Sequence, residues 1–443
     1  MNLSTTLTFS GPPPELYCKP VSYPLLSYSV IPFLLQGSLL HPQFRNRRIF
    51  RWIRLALTPL NVYLNVIPLL EFCFLPASKR GSWNFCWGIW CTTLVMKSLE
   101  WGVSGGFFEG KYWTRKEVAI KGSKTAYVDG TPLPEHSTPA EILNWTLQQA
   151  AFPCGVQFGW GSKATLNTRR LRDVMKRMCL MHFVSLISTA FAVSCRDLGS
   201  PTNVLLALGF PSFPGLTLLA EAIASISFTS FLISWFDVSY TYFVLVVYGV
   251  KWLDERWKLP VLIMEWFNPA FYPPAFSSPQ TSASLRELWN KDWHQFLRRN
   301  LVLFGAQPAI WLAKRAGFQK TGQRVMSTFS VFLLSGILHE IYILTVYKGK
   351  GSFLGHASPK YFPGALFYFL SQPFGLLIEP HIIPRIPRYL GGGTLWVWLF
   401  SLATLIPYRK SLFEDSGFLD EAYPSLSRWK FYYFLIPGSV CQK

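Results

Sequence analysis

The sequence predicts an all-α polytopic membrane protein with roughly eight to ten transmembrane helices, and three observations predict it. Half of the 443 residues are apolar, 17% are aromatic and only 15% are charged. Largely uncharged runs of about 20 residues, the length a helix needs to cross the hydrocarbon core, recur along the chain. The basic residues lie mostly between those runs, so the formal charge of +19 reports membrane orientation rather than a nucleic-acid surface.

Taken by quality, segments 21–40, 178–195, 198–220, 325–347 and 389–408 carry at most one acid or base each besides histidine. Four more qualify with a blemish: 55–75 contains Glu71, 81–101 contains Lys97 and Glu100, 222–250 contains Asp237, and 361–380 contains Glu379. Pro201, Pro211 and Pro214 make 198–220 a broken or re-entrant helix. Arg45, Arg47, Arg48, Arg51 and Arg54 follow the first span and eleven Lys or Arg occupy 110–177, which sets both segments in the cytosol. The short loop with Lys79 and Arg80 then falls on the lumenal side. Because 251–300 is basic again, the chain should cross an odd number of times between 196 and 250.

Gly11-Pro12-Pro13-Pro14 precedes the first span where a cleaved signal peptide would show a basic and then an apolar stretch. No internal repeat divides the chain, so a single membrane domain over 1–443 is expected, in an endomembrane such as the endoplasmic reticulum. The eight cysteines lack paired metal-ligand spacing and read as buried thiols, with no metal implied.

Two polar segments interrupt the spans. The cytosolic loop 105–177 has a turn-rich middle at 129–134 and a helix signal at Ser137-Thr138-Pro139-Ala140-Glu141. The segment 251–324 approaches through Glu265-Trp266-Phe267-Asn268-Pro269 and Phe271-Tyr272-Pro273-Pro274, where repeated proline favours an extended chain. Ser284 and Glu287 then form a capping-box pattern that opens an amphipathic helix over 285–299. On that helix Asn290, His294 and Arg298 make a polar stripe at i, i+4 and i+8. The uncharged stretch 301–313 is too short to span and should dip in and return.

His339 lies inside the span 325–347, about 20 Å beyond Arg324 along a helix. An ionisable group at that depth faces a cavity or a partner, and function is the default reading; a neutral ring bonded to a neighbouring helix is the plain alternative. Neutral imidazole, the form burial favours, can take a proton near neutral pH and so activate a hydroxyl. Glu340 points about 100° away and is no automatic partner. His294 sits among Trp289, Trp293, Arg286, Lys291, Arg298 and Arg299, a setting for an anionic phosphate-bearing ligand or, as plainly, for an interfacial helix. His182 reads as packed within its span, and His41, His136, His356 and His381 as interfacial. Asp237, Glu71 and Glu100 either line a cavity or pair with a basic group. No Gly-x-Ser-x-Gly, His-Glu-x-x-His or Cys-x-x-Cys pattern occurs, so neither a serine hydrolase nor a zinc enzyme is supported.

Pro273-Pro274-Ala275-Phe276-Ser277-Ser278-Pro279, followed by Ser284-Leu285-Arg286-Glu287-Leu288-Trp289-Asn290-Lys291-Asp292-Trp293-His294, resembles the wax-synthase-like branch of the membrane-bound O-acyltransferase superfamily. That branch reads approximately W-P-P-L-F-G-S-P and then S-L-R-D-F-W-G-R-R-W-H. Ser335-Gly336-Ile337-Leu338-His339 is similar to its S-G-x-x-H element, and Gly155-Val156-Gln157-Phe158-Gly159-Trp160 is near its R-G-I-G-W, with Cys154 at the arginine position. The resemblance covers mainly 150–345. It implies a tunnelled helix bundle that moves an acyl group from acyl-CoA to an alcohol, with His339 as the catalytic histidine and His294 at the second polar position. Trp289, Asn290, Lys291, Trp293, Arg298 and Arg299 are then the candidates for holding the acyl-CoA. Near relatives of this pattern include fungal acetyltransferases of terpenoid and meroterpenoid products, so acetyl-CoA, a hydrophobic alcohol and membrane lipid are the expected partners. A long-chain wax synthase or neutral-lipid acyltransferase shares the chemistry; a proton-coupled transporter using His339 and Glu340 does not.

Overall fold

A computed structural model describes residues 18–76, 80–103, 137–152, 155–156, 158–161, 169–260, 266–347 and 360–419. The turn at 129–134, Cys154, Gln157, Glu265, His136 and His356 lie outside them. Among the described residues eight long helices follow the apolar runs: α1 (Tyr23–Ser38), α2 (Arg48–Glu71), α3 (Gly81–Val103), α4 (Leu171–Asp197), α5 (Leu216–Trp257), α6 (Lys320–Tyr347), α7 (Gly364–Ile382) and α8 (Gly393–Arg409). Of these, α2, α4, α5 and α6 are long and apolar enough to cross a membrane by length and composition. The protein is an all-α integral membrane protein.

The stretch 198–220 is broken, as its prolines predict. Within 198–220 only Pro201–Ala207 is helical before α5 begins, because Pro201 suits the first turn of a helix whereas Pro211 and Pro214 cannot donate within one. Gly215, at φ 101°, turns the chain into α5. Among the described residues between 198 and 257, α5 is the helix long and apolar enough to cross a membrane. Its 42 residues measure about 60 Å, roughly twice the hydrocarbon thickness.

The reading of the cysteines as buried thiols is corrected at two positions. Lys19–Pro20 (β1) pairs in parallel with Phe72–Cys73 (β2). This pairing holds the Cα atoms of Cys18 and Cys73 5.8 Å apart, within disulfide reach, and the two are joined. Of the free thiols Cys91 is buried, whereas Cys86 and Cys179 are exposed.

Helix α6 runs through the centre, against α3, α7 and the segment 298–315. Its contact with α7 is close because residue 336 is glycine: a Cβ there would lie 2.8 Å from the Leu366 side chain and 3.0 Å from its Cα. The acids in the apolar runs are all partnered, as burial of charge requires. Glu71 pairs with Lys19 at 2.5 Å, Asp237 with Arg177 at 2.7 Å, and Glu100 with Arg299. Glu340 accepts from the Leu366 N–H at 2.9 Å and Glu379 from the Leu285 N–H at 2.8 Å, so each satisfies backbone donors in the first turn of a helix. Two histidines differ from expectation. His182 is exposed and bonds the Tyr242 hydroxyl at 2.8 Å, while His41 is fully buried against the edge of Trp145.

Candidate active site

The motif segment starts as expected and then departs from a helix. The Ser284 hydroxyl accepts from the Glu287 N–H at 3.0 Å, while the Glu287 carboxylate reaches the Ala283 N–H at 3.0 Å. Only Leu285–Glu287 is α-helical; Leu288–Asp292 is a wider π turn, and Trp293 is extended at φ −81° and ψ 152°. The continuous helix over 285–299 is thus corrected. Asp292 supplies the cause, since its carboxylate accepts from the Ser282 hydroxyl at 2.7 Å and its carbonyl from the Ser277 N–H at 3.1 Å. These bonds draw the chain toward the preceding loop, and the Trp293 N–H takes the Leu288 carbonyl at 2.8 Å instead of continuing the α ladder. Helical structure resumes at Arg298 and, through a second π turn, continues to Arg315. Asn290, His294 and Arg298 are therefore not a helical stripe, yet all three border one cavity.

That cavity, of about 520 Å³, follows α6 from Thr321 and Arg324 to Ser335 and His339. Exposed Arg286, Arg298 and Arg324 stand at its outer end. A second cavity of about 150 Å³ is lined chiefly by apolar and aromatic residues of α3, α5, α7 and α8, with Tyr342 of α6. Trp289, Trp293, His294, Leu297, His339 and Phe369 line both. The two histidines, 45 positions apart in sequence, meet where the cavities adjoin.

The His339 Nδ1 lies 2.7 Å from the Ser335 carbonyl, one turn earlier on α6. A carbonyl only accepts, so this bond assigns the proton to Nδ1 and leaves the lone pair on Nε2. The ring rests on Phe369 at 4.3 Å between centroids, with Tyr342 and Tyr408 at 5.7 and 5.8 Å. His294 is held by four rings: Phe296 at 5.4 Å, Phe236 at 5.6 Å, and Phe276 and Trp293 each at 5.7 Å. Its Nδ1 is buried and bonds no group among the described residues.

Of the predicted binding residues, Trp289, Asn290, Trp293 and Arg298 border the larger cavity. The Trp289 indole donates to Gln372 at 3.2 Å, and Arg298 bonds the Asn290 carbonyl at 3.1 Å and the Gln295 amide oxygen at 3.0 Å. Lys291 and Arg299 are elsewhere. Lys291 is exposed and bonds Glu287 at 3.1 Å, which raises its pKa; the Ala283 N–H and then Lys291 hold the Glu287 carboxyl below its usual range. Arg299 is turned away to pair with buried Glu100, under the Trp160 ring at 4.9 Å. Trp160 donates to Gln149 at 2.6 Å, and residues 155–156 and 158–161 line neither cavity.

Sequence reasoning left both Arg324 and Arg286 out of the binding set. Tyr342 had a signal, three residues from His339 on one helix face. Tyr368 and Tyr408 had none, since they arrive from α7 and α8.

Residues 272–358 match a family model described as membrane bound O-acyl transferase family. The chain is 26% identical over 268 residues to the O-mevalon transferase yanI of Aspergillus niger, covering 57% of this chain and 54% of that protein. It is 25% identical over 320 residues to the O-mevalon transferase macI of Penicillium terrestre, covering 67% and 70%. It is 29% identical over 133 residues to the acetyltransferase atnC of Arthrinium sp, covering 29% and 27%. The chain thus spans about half the length of the first of these relatives. The stretch that matches the family model, residues 272–358, carries both histidines.

Proposed function

We propose that the protein transfers an acyl group, acetyl in the reading favoured here, from acyl-CoA to the hydroxyl of a hydrophobic terpenoid-type acceptor. The observation that carries this reading is the position of His339 and His294 on the lining of both cavities. A transfer between two substrates needs one point that both can reach. The larger cavity suits the donor: its arginines can meet the phosphates of coenzyme A, and its length along α6 brings a thioester to His339. The smaller one suits an apolar group.

In this mechanism the acceptor hydroxyl gives its proton to the His339 Nε2 as its oxygen attacks the thioester carbonyl. The carbon–sulfur bond then breaks, and the imidazolium returns the proton to the departing thiolate. His294 donates a ring N–H to the carbonyl oxygen as negative charge develops there. No metal and no acyl-enzyme enters the reaction.

The smaller cavity, about 150 Å³, has room for a two-carbon acyl group or for one ring of the acceptor. The names of the relatives, O-mevalon transferase and acetyltransferase, agree with a product-decorating role in secondary metabolism. An endoplasmic reticulum location fits as well, because Cys18–Cys73 lies at the ends of α1 and α2 opposite the basic segment 45–54, as an oxidising lumen would allow. The test is a series of acetyl-, hexanoyl- and palmitoyl-CoA with purified protein and a panel of terpenoid and long-chain alcohols. Acetyl transfer to a terpenoid alcohol is expected; preference for palmitoyl-CoA would overturn the substrate reading.

A further inference from the structure

Asp237 and Arg177 line neither cavity, yet they stand directly behind His294. Asp237, on α5, is 1% exposed, and the Arg177 guanidinium reaches it from α4 with a two-pronged contact: Nε to Oδ2 at 2.7 Å and Nη2 to Oδ1 at 3.0 Å. The same Nη2 donates to the carbonyl of Phe276 at 2.9 Å. Phe276 is fully buried, and its ring meets both Trp293 at 5.1 Å and His294 at 5.7 Å. Phe236, the residue before Asp237, places its own ring 5.6 Å from His294. One guanidinium therefore ties together the backbone segments that carry two of the four rings around this imidazole.

We infer that Arg177 and Asp237 are positioning residues for His294, setting the orientation of its ring through Phe276 and Phe236. The inference rests on the assignment of His294 to the acyl-transfer site. Two features make the pair more than a generic tie between helices. His294 has no hydrogen bond on Nδ1 among the described residues, so ring packing, rather than a polar partner, governs where that atom points. In addition, lysine cannot reproduce the fork: a single ammonium could hold one Asp237 oxygen but not the second oxygen and the Phe276 carbonyl together.

The experiment uses the full chain in detergent with Arg177→Lys and, as a milder change, Asp237→Asn, each made in wild type and in His294→Ala. Orientation errors near 1 Å lower rate by about a hundredfold at the extreme. Arg177→Lys should lower kcat roughly ten- to a hundredfold with KM for acetyl-CoA within about twofold, and Asp237→Asn should do so less steeply. In His294→Ala, where there is no ring left to orient, Arg177→Lys should lower kcat by less than about threefold. An equal fall in both backgrounds would mean that the pair only supports the fold and would overturn the inference, as would an unchanged kcat. Diethyl pyrocarbonate labelling, read by peptide mass spectrometry, separates this question from catalysis. Faster modification of His294 in Arg177→Lys supports the positioning role even if no transferase activity is found, and an unchanged rate counts against it.

Discussion

Replacement of His339 by alanine separates chemistry from binding and from folding. The ring contributes one hydrogen bond, from Nδ1 to the Ser335 carbonyl on its own helix, and an aromatic contact with Phe369. It borders cavities on both sides, so its removal enlarges space that already exists rather than opening a new void in packed core. Loss of that single bond should reduce stability by on the order of 1 kcal/mol. A positioned general base contributes about a hundred- to ten-thousandfold, or about 2.7–5.4 kcal/mol of barrier. Thus kcat should fall by at least a hundredfold while the melting temperature shifts by only a few degrees. Coenzyme A release, followed with a thiol reagent, gives the rate, and calorimetric titration with coenzyme A gives donor binding, expected to change less than about threefold. A variant that folds and keeps more than a tenth of the wild-type kcat would refute the base assignment. Loss of donor binding along with rate would instead make His339 a binding group.

Three further outcomes follow from the geometry. His294→Ala should lower kcat about a hundred- to thousandfold through loss of a hydrogen bond to the developing oxyanion, with KM for the donor little changed in steady-state assays. Arg324→Ala and Arg298→Ala should each raise KM for acyl-CoA several-fold with little effect on kcat, whereas Arg299→Ala should act on stability by breaking the buried ion pair with Glu100, at a cost of about 3–5 kcal/mol in thermal or denaturant unfolding. Cys18→Ser should remove the cross-link that closes 55 residues, lower stability by about 2–4 kcal/mol in unfolding experiments, and abolish the mobility difference between reduced and non-reduced gels.

Much of this arrangement was legible in the chain because a bilayer imposes length and hydropathy on anything that crosses it. The ends of α1, α3 and α6 fall within a few residues of the runs that predicted them. The prolines of 198–220 announced the break that separates Pro201–Ala207 from α5 at Leu216. Local signals failed where tertiary contacts outweigh them. The helical period of 285–299 was real, yet the Asp292 bonds to Ser277 and Ser282 unwind it and turn His294 inward. His339 could be picked out because an imidazole in hydrocarbon is unusual on its own terms. By contrast, the choice of Arg298 over its neighbour Arg299 depends on Glu100, which is 199 positions away and carries no mark of its partner. The acids of the apolar runs show the same limit: Asp237 and Glu100 are buried and paired, Glu71 is paired at the surface, and the partners could not be read from the sequence.

The adjoining cavities bear on the order of events at this centre. Beyond the six residues they share, the cavities have separate walls, and the histidines stand at their junction, so one occupant need not vacate before the other arrives. A ternary complex is the natural resting point before the acyl group moves, and initial-velocity lines for donor and alcohol should intersect rather than run parallel. Water that reached the junction alone would compete as a nucleophile, so a filled apolar chamber also guards the thioester against idle hydrolysis.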